Sequence, residues 1–253
     1  MSPLIAVVTP IFHLLATELP RTAPQGSNSV AARAAIGSLF SLHILIAGLI
    51  SGAGEIGPAI EWLGYMRQRR RYDRLAHGLG RFITVYFSFS SFIAILLITV
   101  LLVGLWGHFW TTMVTIAWWP LFIEAWSFVL QVTLAYLWYY TWDPLRNFKG
   151  LHMAIGGLLA IASFIQVYMI DIVASYMLTP TNPNNPIRLA LNPTSYPLTV
   201  HRTVGNLAYI GFAFGGFCAI KYLRARTAED KAFYDWGGSF GLLWGVAMTL
   251  LQP

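Results

Sequence analysis

Charge and cysteine are scarce in this chain. Only 10% of its 253 residues are charged, 16 basic against 10 acidic, and there is one cysteine, Cys218. A single cysteine excludes an intrachain disulfide. So few charges exclude the solvated shell of an ordinary soluble domain, in which about a quarter of residues are charged. No Walker-type loop, dinucleotide fingerprint or CxxC pair is present. Neither an internal repeat nor the matched pair of broken helices that marks many transporters is visible. Ser2 to Leu15 has no basic n-region and its apolar stretch carries His13, so no secretory leader is expected.

What is abundant is apolar and aromatic. Hydrophobic residues make up 57% of the chain, with 16 Phe, 12 Tyr and 10 Trp. Apolar runs of about twenty residues recur, the length that crosses about 30 Å of hydrocarbon. The expected fold class is therefore all-α, a polytopic membrane helical bundle. About six spans are predicted, at roughly 36–66, 82–106, 109–141, 151–178, 199–222 and 234–252. No Asp, Glu, Lys or Arg occurs between Arg81 and Glu124. As one helix that stretch would run about 63 Å, twice a bilayer, so it must fold back, and Gly104-Leu-Trp-Gly107-His108 is the natural hairpin. The segment Thr179–Pro197 has too many prolines and turn formers for a regular helix. Residues 1–35 are read as an N-terminal outer-side segment and 36–253 as the transmembrane domain.

The basic residues give the orientation. Arg67, Arg69, Arg70, Arg71, Arg74 and Arg81 follow span 1, Arg146 and Lys149 follow span 3, and Lys221, Arg224, Arg226 and Lys231 follow span 5. Those 12 of the 16 basic residues share one side, leaving Arg21, Arg33, Arg188 and Arg202 on the other. The positive-inside rule places the first group in the cytoplasm and the N-terminus outside. The net charge of +6 thus reads as topology and lipid contact, with no nucleic-acid partner.

Four of the six histidines then lie toward the outer face: His13, His43, His108 and His201. His152 and His77 are on the cytoplasmic side. His43 is inside span 1 and His201 opens span 5. An ionisable group within a bilayer costs about 2.5–3.5 kcal/mol on insertion scales and usually has a partner or a cofactor, and imidazole is a common axial ligand of haem iron. On spacing alone, a ligand role and an ordinary interior histidine both stand. Glu55 and Asp171 are intramembrane carboxylates without an assigned role. Glu61 is read as an interfacial charge pairing with the arginine loop. Gly48, Gly52, Gly54 and Gly57 line part of span 1, for close helix packing or for clearance of a flat macrocycle. Arg202 is read as a haem-propionate partner or an interfacial anchor.

The order of motifs adds a resemblance. His43 and its glycine-rich span lead to Glu61-Trp62-Leu63-Gly64 and the basic Arg71-Tyr-Asp-Arg74 loop. Pro120-Leu-Phe-Ile-Glu124 and Trp142-Asp143-Pro-Leu145 follow, then Tyr176-Met177-Leu-Thr-Pro180, Leu191-Asn192-Pro193 and Val200-His201-Arg-Thr203. Over roughly residues 36–253 this series resembles the large subunit of the cytochrome bd quinol oxidases. The resemblance implies that His43 is an axial ligand in the high-spin, oxygen-reducing haem site, that His201 is an axial ligand of the low-spin haem b that takes electrons from quinol, and that Glu124 lies on a proton path. It implies a haem-b-binding subunit in the cytoplasmic (inner) membrane of a prokaryote, passing electrons between the quinone pool and a redox partner.

The departures shape the partner expectation. The family's second carboxylate, about two turns after the one matching Glu124, has Gln131 nearest its place. The family's quinol loop and its further haem ligands lie after the sixth span, beyond Pro253. An adjoining membrane subunit is therefore expected to pack against spans 1, 5 and 6 and to donate a Met or His to iron. The competing function class is a haemless structural or anchor subunit of a membrane complex, which would be colourless.

Overall fold

The computed structural model describes residues 30–253. His13, Arg21 and most of the expected 1–35 segment lie outside the described residues. Among the described residues the chain forms eight α-helices and one π-helical stretch, with no strand.

The first helix, α1 (Val30–Arg67), runs 38 residues, about 57 Å. It is the spine of the bundle and packs against three other helices: α2 (Arg70–Leu96), α5 (Lys149–Leu178) and α7 (Ser195–Arg224). Its small residues make this contact close. A Cβ on Gly48 would sit 2.8 Å from Asn206 Oδ1 of α7, and one on Gly57 would sit 2.8 Å from the Trp138 ring. Helix packing is thus the role of these glycines. The glycine face expected to receive an adjoining subunit is occupied from within the chain. Only Gln68 and Arg69 separate α1 from α2, and Gln68 takes a left-handed backbone, φ 51°, to make the reversal.

Helix α2 passes into the π-helical stretch Leu97–Leu105. The chain folds back at Trp106, inside the expected hairpin, and α3 (Gly107–Ile116) packs on that stretch. The span expected at 109–141 is two helices, α3 and α4 (Trp118–Tyr140). Pro120 explains the break. It has no N–H for the Ile116 carbonyl and its ring crowds that group, so the helix is interrupted at Ala117 (φ −112°, ψ 32°).

The loop Thr179–Pro197 is more ordered than its prolines suggest. A five-residue helix, α6 (Pro186–Ala190), starts with Pro at its first position, where a missing N–H costs nothing. Asn185 caps it by accepting from the Ile187 and Arg188 N–H groups. Five helices are long and apolar enough to cross a membrane, over Val30–Arg67, Arg70–Thr99, Trp118–Tyr140, Lys149–Leu178 and Ser195–Arg224. The expected sixth span is α8 (Ala228–Leu251), 24 residues and so about 36 Å long. Its glycines, tryptophans and charged first turns dilute its hydropathy, so it falls outside those five. It still lies along α7, where Gly211, Gly241 and Gly245 bring the two backbones together. At its start, Asp230 pairs with Arg74 of α2 at 2.6 Å.

Candidate functional site

Two polar clusters sit toward opposite ends of α1, with further polar groups between them. Nearer the N-terminal end, His43 projects from α1 half-buried, and its Nδ1 is buried without a hydrogen-bond partner among the described residues. Arg202 of α7 lies within electrostatic reach of it. The guanidinium is held by Asp171 of α5, a carboxylate with 0% exposure. The pairing follows from depth: Asp171 lies seven residues before the end of α5 and Arg202 seven after the start of α7. Each is therefore about 10 Å in from the same side. Arg202, expected at a propionate or the interface, is engaged within the chain.

His201, one residue earlier, faces outward. Gln252 Nε2 can only donate, so the His201 Nε2 3.3 Å away accepts. A ring proton on Nδ1 is the tautomer that matches this contact, with Nδ1 3.2 Å from the Pro253 oxygen. A backbone carbonyl on Nδ1–H is the arrangement that leaves Nε2 as a metal-ligating lone pair.

The second cluster was not legible as a site in the sequence. Glu61 is fully buried, not interfacial. Its carboxylate takes His152 Nδ1 at 2.6 Å, Lys149 Nζ at 2.7 Å and Trp138 Nε1 at 2.7 Å. His152, 1% exposed, spends its other ring nitrogen on the Trp138 carbonyl at 2.8 Å. Lys149 also reaches Asp73 at 3.2 Å and lies over the Trp142 ring, while His77 stacks on Trp142 from the other side of the group. One carboxylate thus ties α1 to α4 and α5, and through Lys149 to α2. The arginine loop is left to other partners, Arg71 and Arg74 lying over the aromatic rings of α8.

Between the clusters, Glu124 of α4 receives Gln166 Nε2 of α5 at 3.5 Å. About two turns further along the same face of α4, Gln131 donates to Ser163 Oγ at 2.8 Å, beside Gly54. Glu55 keeps one buried carboxylate oxygen without a partner among the described residues. The described residues hold no group of three or more metal-binding side chains. His108 lies on α3, away from both clusters in sequence.

Against this geometry the sequence matches the model of the family described as "Cytochrome bd terminal oxidase subunit I" over residues 31–253. The chain belongs to the cytochrome bd terminal oxidase subunit I family. The fold agrees. The bd oxidase of Geobacillus thermodenitrificans superposes with a TM-score of 0.72 at 20% identity, over 87% of this chain and 52% of that one. The chain thus spans about half the length of that structure. No curated protein sequence matches it. The family assignment bears out the resemblance read from the motif series, and the all-helical architecture bears out the expected fold class.

Proposed function

We propose that this bd-type subunit binds haem b and passes electrons between the quinone pool and a redox partner within a multi-subunit respiratory complex of a prokaryotic inner membrane. The observation that carries the reading is His43, an imidazole on the central helix with a buried ring nitrogen that nothing among the described residues satisfies. Buried polar groups normally have partners, and each exception asks for an explanation. A metal ligand supplies one. His201 fits the same chemistry, because its tautomer leaves Nε2 as an acceptor on which Gln252 makes only a 3.3 Å contact.

Haem bound there would supply one-electron transfer through its iron. The chain's residues supply the rest. His43 and His201 present imidazoles from two helices that pack together. Asp171 orients Arg202 beside them and balances its charge. Glu124, with Gln166 as its donor, is a carboxylate placed to hold a proton within the bundle, and Gln131 at the next position cannot do the same. Other membrane subunits would complete the axial ligand set.

The test is a pyridine haemochrome assay with reduced-minus-oxidised spectra on the purified complex. Haem b bands are expected. His201→Ala should lose a low-spin haem b and His43→Ala a separate haem signal, both with normal insertion, since one side chain hardly alters a span's hydropathy. A colourless stoichiometric subunit, or unchanged spectra in both variants, would establish the anchor-subunit reading instead.

A further inference from the structure

The arginines around the start of α2 are not equivalent. Arg67, Arg69 and Arg70 are exposed. Arg74 has Asp230 at 2.6 Å. Arg71 is partly buried, and its Nε is buried with no hydrogen-bond partner among the described residues. Nor does Arg71 form an ion pair with any of them. Two nearby acids are engaged elsewhere, Asp73 by Lys149 and Asp230 by Arg74. Asp235 and Glu229, the other acids at the start of α8, are exposed and do not pair with it.

What holds Arg71 is aromatic. Its guanidinium carbon lies 4.5 Å from the ring centroid of Trp236 on α8 and 5.4 Å from that of Tyr72. The two rings meet edge to face at 5.1 Å. Stacking uses the face of the guanidinium. Its N–H donors fan out in the plane of the group, so the stack fixes the cation and leaves those donors for an acceptor.

An apolar groove begins beside this stack. Leu75 and Leu79 of α2 and Phe240 and Trp244 of α8 form its walls, with Ile60 and Phe214 behind them. Leu75 and Leu79 stand one and two turns beyond Arg71, and Phe240 and Trp244 one and two turns beyond Trp236. Both helices start at the same end of the bundle, where Arg74 meets Asp230. The groove therefore runs about 12 Å from the guanidinium toward the middle of the bilayer. Its α2 wall is buried and its α8 wall is part-exposed. It is shallow, so an occupant would lie along it with one side in the surrounding lipid.

The occupant must present an anionic acceptor at one end and an apolar chain at the other. A quinone has the chain but no charge for a cation without a counter-ion. A soluble anion has the charge but leaves the groove bare. A phospholipid has both, in this order and at this depth, with its phosphate at the interface and its chain inward. Exposed Arg67 and Arg70 close by favour a headgroup of net negative charge.

The geometry points to a site for one anionic phospholipid, its phosphate on the Arg71 guanidinium and an acyl chain along the groove between α2 and α8. The inference stands apart from the haem reading, because it uses neither His43 nor His201.

Native mass spectrometry of the purified complex, titrated with phosphatidylglycerol or phosphatidylcholine, tests it. Phosphatidylglycerol is expected to survive on the complex where phosphatidylcholine is stripped, and excess inorganic phosphate should not displace it. Arg71→Gln should weaken retention about tenfold or more, the scale of one hydrogen bond to a charged group. Arg67→Gln/Arg70→Gln removes more charge but outside the groove, where exposed charges are screened, and should weaken retention less. A cryo-EM map of the wild-type complex should show headgroup density at Arg71 and chain density beside Phe240 and Trp244. Equal retention of the two lipids, displacement by inorganic phosphate, unchanged retention in Arg71→Gln, an equal or larger loss in the Arg67/Arg70 variant, or a map with a quinone or a protein side chain on Arg71 would overturn the inference. The lipid competition and the map use the wild-type protein, so they decide it even if a variant does not assemble.

Discussion

Replacing Glu61 by alanine should be among the most damaging single changes in the chain. The carboxylate has no exposure, and three donors converge on it at 2.6–2.7 Å: His152 Nδ1, Lys149 Nζ and Trp138 Nε1. Deleting it leaves those donors facing an apolar interior. Removing one partner of a buried ion pair costs about 3–5 kcal/mol. In a domain of this size each kcal/mol moves a melting midpoint by about 2–4 °C. Glu61→Ala should therefore lower the apparent midpoint of the complex in detergent by roughly 6–20 °C. Glu61→Gln keeps the shape and the Trp138 bond but loses the charge, at about 1–3 kcal/mol. Lys149 is 24% exposed and has Asp73 as a second partner, so Lys149→Met should cost less than Glu61→Ala. The double variant removes the stranded ammonium, so its loss should fall short of the sum by about 0.5–3 kcal/mol. Size-exclusion profiles after graded heating give these midpoints. A Glu61→Ala midpoint within error of wild type, or strictly additive losses, would refute the argument that this carboxylate is the tie between the helices.

Three further outcomes are expected. Gly241→Leu should disrupt α8 docking, because even a Cβ at that position would meet the Gly211 carbonyl and the Gly215 amide at 2.8 Å; limited proteolysis in the 225–227 turn should accelerate, and an unchanged cleavage rate would count against the backbone seam. Cysteines introduced at Gln68 and Asn184 should differ in intact cells, the first shielded from an impermeant thiol reagent and the second labelled, with buried Cys218 silent; the reverse pattern would invert the topology. The Arg74 hydrogen bond, then that of Thr227, holds the exposed Asp230 carboxyl below its ordinary value. A depressed folded-state pKa stabilises above the unfolded value, about 3.9, and the contribution is lost as pH falls through the folded value. The α2–α8 link should thus be intact near pH 6 and weaken below about pH 4. In Arg74→Ala, thermal midpoints should lose this part of their pH dependence.

The fold was legible because a bilayer imposes length. Runs near twenty apolar residues had to be helices, and a charge-free stretch of twice that length had to reverse, which it does at Trp106. Pro120 was visible too, yet its effect was missed. The hydropathy of 109–141 is continuous, and only the steric demand on Ile116 divides it into α3 and α4. The site was less legible. Glu61 lies 91 residues from His152 and 77 from Trp138, and no periodicity within one span reports which side chain of another span lies opposite. Read alone, Glu61 sits at the end of a helix beside six arginines, and an interfacial ion pair is the natural inference. Only helix packing shows that it turns inward.

Asp171 and Arg202 are the instructive contrast, because depth arithmetic could have joined them. Both are charged, both stand seven residues inside their helices from the same side, and opposite charges at one depth in a bilayer attract with little screening. The same arithmetic separates the chain's polar groups into levels: His43, Asp171 and Arg202 toward one face, Glu61, His152 and Lys149 toward the other, and Glu124 and Glu55 between. Each buried ionisable group costs stability that leucine would not, a cost the Glu61 level offsets by tying helices together. The proposed function assigns these levels an electron site near one face and a proton-holding carboxylate along the way. It also makes a comparative demand. Asp171→Leu/Arg202→Leu, which removes both charges together, should assemble and melt no lower than wild type. If its haem spectra are also unchanged, the pair is architecture alone; if assembly holds while the spectra shift, the pair is retained for function.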